Sequence, residues 1–108
     1  MAQKLNLIID QGTTFVTIFN VNDDAGDALD LSGYSGRAQM RKHYTSSTST
    51  AFTVVVANSG TVSLEMNSNT TTNLTAGRYV YDVELIDGAG AVSRVVEGIV
   101  TVTPEVTR

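Results

Sequence analysis

Cysteine and tryptophan are absent from this chain, and proline and histidine occur once each, as Pro104 and His43. Without cysteine there is no disulfide framework, no thiolate metal site and no thiol nucleophile. The absence of cysteine fits a reducing cytoplasm or assembly there. Charge is sparse and of the wrong sign for nucleic acid. Seven Lys and Arg against eleven Asp and Glu leave a net −4, whereas a dedicated nucleic-acid binder needs cations to displace counterions from phosphates. Long apolar runs are missing too. Leu5 to Ile9 is too short for a signal-peptide core, and no stretch approaches the roughly 20 residues that span a bilayer. The expectation is a soluble chain with no targeting signal and no membrane partner.

What is present points to β-structure. The 108 residues suit a single domain, 1–108, large enough to bury a core without covalent staples. Thr, Val and Tyr are abundant, which favours a pleated, half-buried surface. Phe15, Thr17, Phe19 and Val21 alternate with Thr14, Val16, Ile18 and Asn20, predicting a strand over 13–21. A second strand is predicted over 34–43, with Tyr34, Ala38 and Met40 on one face and Arg37, Gln39, Arg41 and His43 on the other. Residues 45–50 read as an exposed Ser/Thr loop. Phe52, Val54 and Val56, the turn Asn58-Ser59-Gly60, then Val62, Leu64 and Met66 form a hairpin signal. Ser68 to Ala76 predicts one helical turn ended by Gly77 in a positive-φ conformation. Tyr79, Tyr81, Val83 and Leu85 then share one face, and after the Asp87-Gly88-Ala89-Gly90 turn a last strand runs to Pro104. About seven short antiparallel strands with turns every 8–12 residues suggest an immunoglobulin-like β-sandwich, with an open or closed barrel as the alternative.

Candidate chemistry is thin. His43 reads as a surface residue at a strand end, and no phosphate loop, nucleophile elbow or zinc spacing occurs. No catalytic, cofactor-binding or metal residue is expected, and no small-molecule substrate. The acidic turn with Asp23, Asp24, Asp27 and Asp30 offers oxygens to a hard cation, but without the spacing of an EF-hand; a solvated turn is the simpler reading. The Arg37, Gln39, Arg41 stripe suits a small anion or, more simply, cross-strand pairing with Asp82 and Glu84. The acceptor patterns at Asn69 and Asn73 read as incidental.

Two features suggest assembly with other copies. Residues 1–10, with Leu5, Leu7, Ile8 and Ile9, read as an N-terminal edge strand or arm, and 104–108 as a tail. The last strand carries apolar residues on both sides, Val92, Val96, Val100 and Val102 against Val95 and Ile99. Either a bulge at Gly98 lets it serve two sheets, or one side packs on a neighbouring subunit. The candidate subunit-contact residues are Leu5, Leu7, Ile9, Val95, Ile99 and Val102.

Four stretches carry a family likeness: QGTTF at 11–15, LDLSGYSGRAQMRK at 29–42, LTAGRYVYDVEL at 74–85 and RVVEGIVTVTPE at 94–105. Together they resemble the small immunoglobulin-like structural proteins of tailed-bacteriophage virions, including the modules of baseplate upper proteins. The resemblance extends from about residue 5 to 104. It implies a non-enzymatic virion component, made in the host cytoplasm and held in multiple symmetric copies among other virion proteins, at the tail, baseplate or neck. A capsid decoration protein is the alternative. A carbohydrate- or receptor-binding module is the rival from another class; it requires exposed aromatics over a concave face, and here the tyrosines alternate into the predicted core.

Overall fold

Alternating side chains become strands almost wherever the sequence alternates. In a computed structural model, which describes residues 3–22 and 26–106, the chain is all-β with one short helix. The strands are β1 (Gln3–Lys4), β2 (Leu7–Asp10), β3 (Phe15–Asn20), β4 (Ser35–Arg41), β5 (Thr50–Val56) and β6 (Thr61–Met66). The helix α1 (Ser68–Thr72) follows, then β7 (Gly77–Ile86) and β8 (Val92–Thr103). Their lateral order is β1-β8-β7-β4-β5-β6-β3, with β2 also on β8. β5 belongs to both halves: its residues 50–52 pair with β4 and its residues 53–56 with β6. One strand therefore turns the corner, and the sheet curls around a single core.

One expectation about the strands is corrected: they are not all antiparallel. Both N-terminal pieces run parallel to β8, with Gln3 opposite Val96 and Leu7 opposite Val100. The offset is the same on both sides of the break, so β1 and β2 are one strand interrupted at Leu5–Asn6. A parallel pair needs a long crossover, and here the rest of the chain supplies it.

The interruption has a local cause. Tyr81 of β7 lies opposite Gly98 of β8 and reaches across it to donate its hydroxyl hydrogen to the Leu5 carbonyl at 2.6 Å. A Cβ on Gly98 would collide with that same carbonyl. Glycine thus opens the path by which the first strand docks. Asn6 completes the junction, its Oδ1 accepting from the Ile99 amide at 3.1 Å.

The bulge that one of the two readings of this strand places at Gly98 is found at Val95. Val83 faces Val96 but Glu84 faces Arg94, so Val95 is the extra residue. Beyond it Val96, Val100 and Val102 point into the core, while before it Val92 lies outward. This change of phase puts Val92 outside although it shares parity with the buried Val96, Val100 and Val102, whereas Ile99 is an apolar residue on the outer face.

The core is filled by alternate residues of every longer strand. Ile9, Val62, Val83 and Val100 are fully buried, with Leu31, Met40, Leu64, Leu85, Val96 and Val102 close behind. An aromatic row crosses it, Phe15 to Phe52 at 6.1 Å and Phe52 to Tyr81 at 6.2 Å between ring centroids, joining both sides of the curl.

The helix is shorter than predicted, and Gly77 does not end it. Asn67 caps its start, accepting from the Thr70 amide at 2.9 Å, and Asn73 closes it in a right-handed helical conformation. Chain exit there lets Leu74 enter the core. Gly77 keeps its positive φ of 137°, but as the first residue of β7. Thr71, fully buried, donates to the Thr13 carbonyl at 2.7 Å. Gln11 ties three segments together: it donates to the Leu74 carbonyl at 2.7 Å and accepts from the Glu105 amide at 2.9 Å. The start of the predicted tail is therefore fastened to the domain.

Candidate interaction surfaces

The curl leaves two outer faces of opposite character. Over β8, β7 and β4 the outward positions include Arg37, Asp82, Glu84, Arg94 and Glu97. Arg37 and Glu84 are cross-strand partners, and Arg37 Nε bonds Glu84 Oε1 at 2.7 Å. Arg94 Nε contacts Asp82 Oδ2 at 3.3 Å, and its Nη1 contacts Glu97 Oε2 at 3.2 Å. Lys4 Nζ reaches Glu97 Oε1 at 2.9 Å. The Arg94–Glu97 contact exists because of the bulge. Residues three apart on a plain strand point to opposite faces, and the extra Val95 brings both to the outside.

Electrostatics within this network are uneven. The hydrogen bond from Lys4, then its charge, hold the Glu97 carboxyl below its usual value, and Glu97 raises Lys4 in return. Asp82 is shifted the other way. Partial burial, followed by the charge of Glu84, raises its pKa, and Glu97 adds to this while Arg94 and Arg37 oppose it. Every pair in the network is open to solvent on at least one side, so screening leaves each with only a small share of the stability.

Of the predicted stripe, Arg37 and Gln39 lie opposite Glu84 and Asp82, and Arg37 forms the cross-strand ion pair. Arg41 departs from that pattern. Its Nη1 donates to the Ser46 carbonyl at 2.8 Å, shaping the loop that follows β4, and its Nη2 to Gln39 Oε1 at 3.1 Å. His43 sits exposed in this loop, its amide donating to Ser46 Oγ at 3.0 Å. Asp23 and Asp24 of the acidic turn lie outside the described residues. Asp30 is turned to Ser32, accepting from its amide at 3.0 Å and its hydroxyl at 2.6 Å, which lowers its pKa.

The residues expected at a subunit contact divide sharply. Leu7, Ile9 and Val102 are inside the protein's own core. The alternation of the first strand is legible, but its buried side is the one with Leu7 and Ile9, leaving Ile8 67% exposed at the edge. Leu5 and Val95 are half-buried against the core, and Ile99 is exposed on the outer face.

On the other side of the curl, β3, β6 and β5 present a nearly neutral face. Val16 and Ile18 of β3 are 53% and 62% exposed, and Val55 of β5 is 49% exposed. Registers with β6 place Val16 beside Glu65 and both Ile18 and Val55 beside Ser63. None of these residues stands out as a contact candidate in the sequence, although the alternation of 13–21 contains the signal: both sets of positions in that strand are apolar.

Concavities are shallow. One of about 320 Å³ lies on the charged face between Gln39, Arg41, Tyr44, Asp82, Arg94 and Glu97. Tyr44, which falls in no predicted strand, is 82% exposed at its rim.

No protein-family model and no curated protein sequence matches this chain. Among solved structures, it is similar to a portion of a family 123 glycoside hydrolase from Clostridium perfringens, studied for glycolipid glycan hydrolysis. The identity is 11% and the TM-score 0.41, over 97% of this chain and 23% of that one. At that level no chemistry carries over.

Proposed function

We propose that this chain is a non-enzymatic structural module of a tailed-phage particle, an immunoglobulin-like domain repeated at the tail, baseplate or neck. The observation that supports this best is spatial. The three longer stretches that carry the phage resemblance, 29–42, 74–85 and 94–105, supply β4, β7 and β8, which are hydrogen-bonded neighbours. The likeness is thus concentrated in one contiguous piece of the fold.

The immunoglobulin-like reading draws support from connectivity. Counting the interrupted first strand once gives seven. The second and fifth then pair on one side, and the third, sixth and seventh lie side by side on the other, as in that architecture. The structural role draws support from the polar face, where Arg37, Asp82, Glu84, Arg94, Glu97 and Lys4 engage one another.

Mass spectrometry of purified particles, followed by labelled imaging, tests the proposal. The chain is expected in the particle at a copy number matching a tail, baseplate or neck ring. A copy number matching the shell lattice would transfer it to the alternative role of capsid decoration. Abundance in infected cells with absence from particles would end the virion reading. A second reading, a carbohydrate- or receptor-binding module, has one observation in its favour: exposed Tyr44 beside the 320 Å³ depression. Saturable binding on a glycan array, abolished by Tyr44→Ala, is its test.

A further inference from the structure

We propose that β3 is a self-pairing edge through which two copies of this chain join in one continuous sheet. β3 is the last strand in the lateral order. Its six residues pair with β6 without a break, and among the described residues no strand pairs with its other side, which offers a regular row of backbone donors and acceptors. Proteins usually protect such an edge with a charge, a proline or a bulge. Phe-Val-Thr-Ile-Phe-Asn contains neither charge nor proline, and its register has no bulge. The opposite edge is different: it is broken at Leu5–Asn6 and carries Lys4 and Asp10.

The distribution of charge selects a second copy as the occupant. The chain carries net −4, so two copies repel unless they meet where charge is scarce. β3, β5 and β6 together contain one formal charge, Glu65. The ion-paired residues described above all lie on the other strands. Sequence symmetry agrees. Antiparallel pairing about a two-fold axis at Thr17 sets Val16 of each copy opposite Ile18 of the other, covering the two most exposed apolar side chains of the strand. An interface built from one patch on both copies closes as a dimer and does not propagate.

Sedimentation velocity over a concentration series tests this on the full chain. Wild type is expected to pass from monomer to dimer as concentration rises. Val16→Lys/Ile18→Lys and Val16→Glu/Ile18→Glu are each expected to weaken association by about tenfold or more, equivalent to about 1.4 kcal/mol. Their circular dichroism should match wild type, because both positions face solvent. Mixed in equal amounts, the two variants should form a heterodimer, since Lys then lies opposite Glu. Should either double variant fail to fold, Ile18→Thr, which stays β-branched, provides the same comparison. Three results would overturn the pairing: a wild type monomeric at every concentration, a Lys variant that associates like wild type, or open-ended oligomers. The proposal goes beyond the virion reading and is independent of it, because it is measured on purified protein.

Discussion

The hydroxyl of Tyr81 couples stability to alkaline pH. Burial pushes its pKa from 10.0 up to about 12, so between those values the folded chain keeps a proton that the unfolded chain has lost. Stability from this group is fully present below pH 10 and declines as pH rises towards 12. Tyr81→Phe removes the hydrogen bond to Leu5 and leaves its carbonyl without that donor. The expected loss is about 1–2 kcal/mol at neutral pH, with a flatter stability curve above about pH 10, read by urea denaturation across the pH range. Gly98→Ala places a methyl group against the same carbonyl. The backbone must shift, at about 1–3 kcal/mol, and hydrogen exchange at the first strand should rise more than in the rest of the fold. Gln11→Ala deletes two long-range hydrogen bonds and is expected to lower stability by about 1–2 kcal/mol in the same assay.

At the scale of elements, the charged face carries an acidic residue in an unfavourable setting. The raised pKa of Asp82 means that its charge opposes folding at neutral pH. Asp82→Asn is expected to raise the melting temperature slightly at pH 7, and the gain should vanish below its ordinary value of 3.8, where both states are protonated. A lower melting temperature at neutral pH would mean that the Arg94 contact outweighs burial and the Glu84 charge.

Elements made by local alternation are legible in the sequence. β5, β6 and the turn between them, and the run Tyr79 to Leu85, are placed by period 2 even though Val55 and Val80 put apolar residues on the outward side, and the structure follows it. Elements set by distant contacts are not legible. The parallel docking of the first strand depends on a tyrosine and a glycine more than 75 residues away, a relation no local window contains. The bulge at Val95 is likewise a matter of register with β7, and the glycine at 98 serves to admit the first strand rather than to bend its own. Among candidate contacts, the first strand reads as an edge and is one, but alternation alone does not say which of its two sides is buried. The neutral face of β3 is hidden because its outward valine and isoleucine resemble core residues.

The whole molecule measures 44 × 27 × 21 Å, and its charges are unevenly shared across it. One face is a lattice of partly exposed ion pairs, sensitive to salt; the strands of the other, β3, β5 and β6, carry one formal charge, Glu65, and are apolar in patches. Added salt should therefore loosen the Arg94–Asp82 and Lys4–Glu97 contacts while easing repulsion between copies. This asymmetry leaves one outer face rich in ion pairs and the other poor in charge.

The parallel alignment of the first and last strands has a mechanical consequence. Tension applied between Gln3 and Glu105 would pull those two strands lengthwise past each other, loading the backbone hydrogen bonds from Gln3–Val96 to Asp10–Thr103 together. Hairpin strands pulled from their open end instead unzip bond by bond. Single-molecule stretching should accordingly show one high-force rupture before the rest of the chain extends, and Gly98→Ala, by spoiling the dock, should lower it.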